Sequence, residues 1–321
     1  MKHKRMLITG GAGFIGSNFI RYILNKYPEY SIINLDKLTY CGNLENLKDV
    51  ENNPNYKFIK GDICDSDVVN DIVKDSEIII NFAAQTHVDR SIIDASEFIR
   101  TNVHGTHVLL EAAKKYNISK FIHISTDEVY GSRENGSFKE DDALQPNSPY
   151  SASKAAADHL VLSYFVTYKL PVIIIRSSNN FGPYQYPEKV IPLFITNALE
   201  NNKLPLYGDG LNVRDWLYVL DNCQAIGLIL HKGEIGKIYN VGAGNEKTNL
   251  ELTKHILDTM GKPESLIEYV KDRPGHDRRY SMDFSRIRNL GWHPQYQFQQ
   301  ALKETIRWYQ DNQQWWRKLK S

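Results

Sequence analysis

Between the apolar run Met6-Leu7-Ile8 and the amphipathic stretch Ser17 to Tyr27 lies Thr9-Gly10-Gly11-Ala12-Gly13-Phe14-Ile15-Gly16. A strand that turns straight into a helix needs a residue without Cβ at the turn, another where backbone approaches a ligand and a third where helix packs on strand. Glycines at 10, 13 and 16 meet those needs, and the helix start offers unpaired N–H groups to a pyrophosphate. The next apolar run, Ile32-Ile33-Asn34-Leu35, ends in Asp36, twenty residues after Gly16. A carboxylate there accepts hydrogen bonds from both hydroxyls of an adenosine ribose. Strand, glycines, helix, strand and acid together predict a dinucleotide site using Gly10, Gly13, Phe14, Ile15, Gly16 and Asp36. Because a carboxylate repels a 2′-phosphate, Asp36 favours NAD over NADP; Lys37 beside it acts in the opposite sense.

The alternation continues. Lys57-Phe58-Ile59-Lys60 leads into Gly61-Asp62-Ile63, a helix-like segment covers Asp65 to Lys74, and Ile78-Ile79-Ile80-Asn81-Phe82 reads as a further strand. Short apolar strands alternating with helices predict an α/β chain with a doubly wound parallel Rossmann sheet and right-handed crossovers. Asp62 and Ile63 then fall at the adenine edge. Ala83 and Ala84 permit close cofactor approach before a dense polar loop, Gln85 to Ser91, whose His87, Asp89 and Arg90 are either substrate ligands or a self-satisfied loop. A long helical stretch from Asp94 to Tyr116 precedes the run Phe121-Ile122-His123-Ile124.

A length of 321 residues suits a nucleotide-binding domain with a smaller partner. Lys and Arg number 39 against 38 Asp and Glu, a net charge of +1 that predicts neither a nucleic-acid face nor an acidic tail. Small molecules or a second copy are the predicted partners. Cys41, Cys64 and Cys223 are widely spaced without a Cys-x-x-Cys pair, which argues against a disulfide framework or a metal site and fits a reducing cytoplasm. The basic start Met1-Lys2-His3-Lys4-Arg5 resembles a signal n-region, but the apolar run after it breaks at Gly10-Gly11. No apolar segment of about 18 residues follows, so a soluble, non-membrane chain is predicted.

Chemistry beyond nucleotide binding concentrates in Ser125-Thr126-Asp127-Glu128-Val129-Tyr130-Gly131. This stretch sits at the carboxyl end of a predicted parallel strand, where open α/β sheets bind ligands. Adjacent carboxylates differ in direction and surroundings, which pushes their pKa values apart from roughly 4 and leaves one as general acid and the other as general base. Such a pair suits elimination of water; the bland alternative is a turn cap at Asp127 and a solvated Glu128. Farther on, Asn147-Ser148-Pro149 is a helix start, and Tyr150-Ser151-Ala152-Ser153-Lys154 places Tyr150 and Lys154 on one helical face. An ammonium and a nicotinamide ring near a phenol bring its pKa down from about 10, into the range for taking a proton from a sugar hydroxyl during hydride transfer.

The glycine stretch, the Tyr150/Lys154 pair and the strands between them resemble the extended short-chain dehydrogenase/reductases. Ala83-Ala84-Gln85-Thr86-His87-Val88-Asp89-Arg90-Ser91 and Ser125 to Gly131 are similar, within that family, to the branch that dehydrates dTDP-glucose. Sister 4-epimerases lack the Asp-Glu pair, and GDP-mannose dehydratases and decarboxylases typically keep only the glutamate. The resemblance implies tightly held NAD, dTDP-glucose as substrate and a place in dTDP-rhamnose or other deoxysugar biosynthesis. It also implies a homodimer joined through the helices from about residue 94 and from Tyr150. Tyr150 would take the proton of the 4-hydroxyl, Lys154 tune Tyr150, Thr126 position the hydroxyl, Glu128 take the C5 proton and Asp127 protonate the departing 6-hydroxyl.

The resemblance extends through Ser178-Asn179-Asn180-Phe181-Gly182-Pro183-Tyr184 and Pro187-Glu188-Lys189-Val190-Ile191-Pro192. It puts Asn179 on the sugar nucleotide and Asn180 by the nicotinamide. His87, Arg90, Lys189, Val190, Pro205, Tyr207, Arg214 and Asn249 complete the substrate set. Residue chemistry is compatible: Tyr207 offers an aromatic surface for thymine, and Arg214 a planar cation for diphosphate. The bland alternatives are a hairpin turn and a surface ion pair. Asp272 to Tyr280 holds three arginines and a histidine; Arg273, His276, Arg279 and Tyr280 are predicted to close over the diphosphate.

Two departures from the family pattern are Gln85-Thr86, where glutamate and serine are usual, and Phe181, where tyrosine is. The division expected is a mainly NAD-binding domain over residues 1–175 and a smaller mixed α/β sugar-nucleotide lobe over 176–321, with chain exchanged back to the first. Ile226 to Leu230, Leu250 to Met260 and Ala301 to Tyr309 have helical periodicity, Trp292 and Trp308 read as core, and the tail Trp315 to Lys320 reads as packed or frayed rather than membrane-bound. Rival readings are a related epimerase or decarboxylase and a dinucleotide-sensing regulator, which needs no Tyr150, Lys154, Asp127 and Glu128 together.

Overall fold

The computed structural model describes residues 4–320; the basic start Met1-Lys2-His3 lies outside them. The strands are β1 (Lys4–Thr9), β2 (Tyr30–Asp36), β3 (Tyr56–Lys60), β4 (Ile78–Asn81), β5 (Lys120–Thr126), β6 (Val172–Ser177), β7 (Asn179–Phe181), β8 (Leu204–Tyr207), β9 (Val213–Tyr218), β10 (Ile238–Val241), β11 (Glu246–Thr248) and β12 (Ile267–Val270). The helices are α1 (Phe14–Lys26), α2 (Ser66–Val73), α3 (Val88–Ile93), α4 (Ser96–Phe98), α5 (Thr106–Lys115), α6 (Pro149–Tyr168), α7 (Val190–Leu199), α8 (Val219–Lys232), α9 (Asn249–Met260), α10 (Ser285–Arg288), α11 (Phe298–Asp311) and α12 (Gln313–Lys320).

Seven strands form one parallel sheet in the order β10-β6-β5-β4-β1-β2-β3. Both faces are covered, which is why its strands read as unbroken apolar runs. On β1 the alternation is visible directly: Met6 and Ile8 enter the core shared with Phe19, Ile23 and Ile226, while Leu7 enters the opposite one with Leu109, Phe121 and Val161. Each such side chain contributes about 1.5–3 kcal/mol on burial. The chain order reverses between β1 and β4, and the carboxyl ends of β1, β4 and β5 open there into one crevice.

A three-stranded sheet, β11-β9-β7, and the pair β12-β8 carry a third core with Phe194, Leu206, Trp216, Leu257, Ile306 and Trp316. Helix α6 starts as its sequence foretells, with Ser148 and Ser151 in a reciprocal capping box and Pro149 in the first turn. Two expectations need correction. The stretch from Asp94 to Tyr116 is not one regular helix: α4 passes through a π-helical turn, Ile99–Gly105, before α5. Half of the polar loop after Ala84 is helical, because His87 caps α3 by accepting from Arg90 N–H. Leu204–Tyr207 is a strand, parallel to β12, which sets aside the hairpin-turn alternative for this segment.

Candidate active site

The crevice is open to solvent at its mouth and is lined from the glycine turn at Gly10 to the far wall at Lys189. The glycine turn forms one end. Gly10 has φ +68°, and a Cβ there would lie 2.6 Å from Ala83 N; at Gly16 a Cβ would lie 2.5 Å from Gly10 O. No side chain caps α1, whose first N–H groups therefore stay free for an anion. The Asp36 carboxylate accepts from Ala12 N–H at 2.9 Å and Leu38 N–H at 2.8 Å, which fixes its direction. Lys37 and Arg100 both pair with Asp62, at 2.9 and 3.0 Å. Farther along, Ser125, Ser178, Asn179, Asn180 and Gln185 all line the crevice and each has a buried side-chain oxygen without a partner. Buried polar atoms are almost always satisfied, so five orphans around one crevice mark it as fitted to a polar ligand. Cradle, acid and orphaned acceptors fit a dinucleotide.

At the crevice floor β5 runs into a 3-10 turn, Asp127–Tyr130, in which Thr126 Oγ1 accepts from Glu128 N–H at 3.2 Å and donates to Asp127 Oδ1 at 3.1 Å. Asp127 is 3% exposed, whereas Glu128 is only partly buried. Burial, and then the charge of Glu128, push the Asp127 carboxyl up to about 8, with Arg214 opposing. Glu128 is also raised by burial, but the positive charges of Arg273, Lys189 and Arg214 pull it back toward the ionised form. The pair thus meets two environments: one side chain holds its proton near neutrality while the other faces cations.

Tyr150 and Lys154 stand one turn apart on α6, both buried. Burial and the charges of Glu128 and Asp127 hold the phenol above its usual range, while the hydroxyl of Thr126 pulls it down. Lys154 donates to Ile124 O at 2.7 Å rather than to the phenol and lies 3.5 Å from His123 Nε2. Burial pushes its ammonium down to about 8, and Asp158 opposes. Asn102, in the π-helical turn, ties this helix to the Ala83-Ala84 loop: it accepts from Gln85 N–H at 2.8 Å and donates to Ser153 Oγ at 2.8 Å.

Of the residues singled out from sequence, Gly10, Gly13, Phe14, Ile15, Gly16, Asp36, Lys37, Asp62, Ile63, Ala83, Ala84, Thr126, Asp127, Glu128, Tyr150, Lys154, Asn179, Asn180 and Lys189 line the crevice. The others stand around its rim or behind it. Arg273 pairs with Asp89 at 3.4 Å, Tyr207 donates to Asp89 at 3.3 Å, and His276 pairs with Asp272 at 2.6 Å. Arg214 lies 4.0 Å from the Tyr280 ring centroid and donates to Asp277 O, while Tyr280 donates to the Asp277 carboxylate. Pro205 is in β8, Val190 opens α7 and Asn249 opens α9. Arg279 is engaged by both oxygens of Glu246, at 2.8 Å each, and by the carbonyl of Gly136.

Sequence reasoning missed Glu188. It accepts from Tyr40 at 2.8 Å, lies 3.4 Å from Arg90 and 3.5 Å from His87, and so joins three loops across the crevice mouth. Burial and the charge of Lys189 push His87 down to about 4, which keeps it neutral. Lys189 donates to Thr86 O at 2.9 Å. The only signal in the sequence is a glutamate beside the lysine already singled out; its partners are remote.

The chain belongs to the GDP-mannose 4,6 dehydratase family, whose model matches residues 7–305. Among relatives, a dTDP-glucose 4,6-dehydratase of Streptomyces niveus is 51% identical over 99% of this chain and 96% of its own length. The dTDP-glucose 4,6-dehydratase DesIV of Streptomyces venezuelae, solved with NAD bound, is 49% identical with a TM-score of 0.96, covering 98% of this chain and 99% of that one. A dTDP-glucose 4,6-dehydratase of Bacillus anthracis, also solved with NAD, is 53% identical with a TM-score of 0.93 over 98% and 99%.

Proposed function

We propose that this chain is an NAD-dependent hydro-lyase that converts dTDP-glucose to dTDP-4-keto-6-deoxyglucose, for deoxysugar biosynthesis. The observation that carries the reading is the Asp127/Glu128 pair, two adjacent carboxyls in unlike surroundings, facing the same crevice as Tyr150. Bound NAD supplies the hydride acceptor for C4 and the hydride donor for C6, and its oxidised ring is a cation that favours the Tyr150 phenolate. Gly10, Gly13, Phe14, Ile15, Gly16, Asp36, Lys37, Asp62, Ile63, Ala83, Ala84 and Asn180 would hold it.

Thr126 orients the sugar 4-hydroxyl and Tyr150 takes its proton as the C4–H bond breaks. The new ketone acidifies C5, whose proton passes to Glu128. Asp127, protonated below about 8, gives its proton to the 6-hydroxyl and water leaves, forming the C5–C6 double bond. Protonated Glu128 then returns a proton to C5 as C6 is reduced to a methyl group. Before the next turnover Tyr150 loses the proton it gained and Asp127 regains the one it spent. Lys154 fixes the electrostatics under Tyr150, while His87, Arg90, Asn179, Lys189, Val190, Pro205, Tyr207, Arg214, Asn249, Arg273, His276, Arg279 and Tyr280 form the sugar-nucleotide shell.

Residues 1–175 act mainly as the NAD-binding domain and 176–321 mainly as the sugar-nucleotide lobe. The working unit is a homodimer, a reading supported by the exposed apolar side chains Ile99, Val166 and Tyr168 on the helical segments from residue 94 and from Tyr150. No helix among the described residues is long and apolar enough to cross a membrane; free cysteines favour a reducing cytoplasm. Incubation of the purified chain with dTDP-glucose tests the activity. Formation of the alkali-absorbing 4-keto sugar is the expected result, at higher kcat/KM than with UDP-glucose or GDP-mannose; a 4-epimer or unchanged sugar would contradict it.

A further inference from the structure

The last two helices touch both sides of the nucleotide crevice without lining it. Trp315 Nε1 on α12 donates to Asn46 Oδ1 at 2.9 Å, and Asn46 Nδ2 donates to Ala12 O at 2.9 Å, inside the glycine turn. Asn46 is 1% exposed, and Arg21 of α1 donates to its carbonyl. On the other side, Tyr309 of α11 donates to Gln185 O, Gln185 Nε2 donates to Asn180 O at 2.9 Å, and Tyr186 donates to Leu319 O at 3.1 Å. Between the two lines sits Tyr184, held in a left-handed conformation at φ +68°, with Arg21 4.1 Å above its ring and Trp308 at 4.7 Å. A bulky residue at positive φ persists only where its surroundings over-determine it.

We propose that α11 and α12 form a brace that sets the separation of the two crevice walls and thereby holds the cofactor through the catalytic cycle, with Trp315, Asn46 and Tyr309 as positioning residues. This rests on the dinucleotide reading above. Ala12 carries two links at once, its N–H to the Asp36 carboxylate at 2.9 Å and its carbonyl to Asn46 Nδ2 at 2.9 Å, so a shift of Asn46 is passed to the acid of the dinucleotide site, and on the facing wall Asn180 and Gln185 carry buried acceptor oxygens without partners. Each wall is contacted from outside the crevice, and in both cases the contact traces to the same helical pair. A cofactor that must receive and return a hydride within one turnover has to be retained, and the brace supplies retention from residues remote in sequence.

The test uses full-length protein stripped of nucleotide and titrated with NAD by calorimetry. Trp315→Phe keeps the aromatic packing and deletes one donor; it should raise the Kd for NAD by about fivefold, the equivalent of one hydrogen bond. Asn46→Asp keeps the acceptor for Trp315 but sets an acceptor against Ala12 O, and should raise it by tenfold or more. Both should increase the NAD concentration needed for half-maximal turnover more than they lower turnover at saturation, and both should shift the melting temperature of the stripped protein by less than about 3 °C, as expected for loss of a single contact in a chain of this size. NAD binding by the wild type that neither variant weakens beyond twofold would overturn the brace and leave the dinucleotide reading standing. Failure of the wild type to bind NAD would overturn both. If Asn46→Asp does not fold, the Trp315→Phe titration decides alone.

Discussion

Thr126, Asp127, Tyr150 and Lys154 sit in the crevice floor at the end of one strand and the start of one helix, all buried. Arg90, Arg273, His276 and Arg279 stand at the rim or behind it and are already paired, with Glu188, Asp89, Asp272 and Glu246. The floor is buried and under-satisfied: titratable groups are shifted by desolvation and carry few hydrogen bonds of their own. The rim satisfies itself, so an anion entering there would exchange one acceptor for another. Preorganised floors stabilise a transition state, whereas a shell that must first break its own pairs governs affinity. Substitutions in the floor should therefore act on kcat and those at the rim on KM.

The largest effect is expected at Tyr150→Phe, which removes the proposed acceptor of the first proton and should lower kcat by about 10⁴-fold without altering KM by more than a few-fold. Next comes Asp127. Its raised pKa means that the acid is loaded below about 8 and lost above it, so kcat should fall as pH rises through that region. Asp127→Asn should lower kcat by about 10²- to 10³-fold and abolish this limb of the profile; an unchanged limb would assign it to another group, Lys154 being the alternative with a value near 8.

At the rim, Arg273→Ala should raise KM for dTDP-glucose by about 10- to 100-fold, the range for a charged hydrogen bond, with kcat reduced far less. A kcat effect as large as that of Asp127→Asn would erase the distinction between floor and rim. The smallest effect is expected at Asp36→Asn, where each carboxylate oxygen accepts one backbone N–H, Oδ2 from Ala12 and Oδ1 from Leu38, and the amide keeps only one of the two acceptors. It should weaken NAD about 5- to 10-fold, as one or two lost hydrogen bonds would, and narrow the preference over NADP, measured by competitive titration.

The same contrast explains what could be read from the chain. Sheet strands announced themselves because burial on both faces makes them apolar throughout, and β5 hands its polar turn directly to the floor, so Asp127, Glu128, Tyr150 and Lys154 fall within a short span. Glu188 stayed hidden because its hydrogen bond to Tyr40 closes 148 residues of chain. The π-helical turn at Ile99–Gly105 breaks helical periodicity only by one residue, too little to distinguish from a regular helix, although it is what turns Asn102 toward Gln85 and Ser153. The brace role of the tail was likewise invisible: Trp315 reads as an aromatic in a basic amphipathic end until its indole is seen on Asn46, 269 residues away. The sequence places Lys154 beside Tyr150 as its tuning charge; the bond it makes, to Ile124 O, is a partner that depends on how α6 settles on β5 and is not readable from spacing.

The central claim is that oxidation at C4 and loss of water are handled by different residues of one floor. Rapid mixing of the Asp127→Asn, Glu128→Gln double variant with dTDP-glucose, following reduced-nicotinamide absorbance and product together, tests it most directly. Reduced cofactor should accumulate on the enzyme while 4-keto-6-deoxy product forms more slowly than in wild type by about 10²-fold or more. Product formation at the wild-type rate, or no reduction of the cofactor at all, would contradict it.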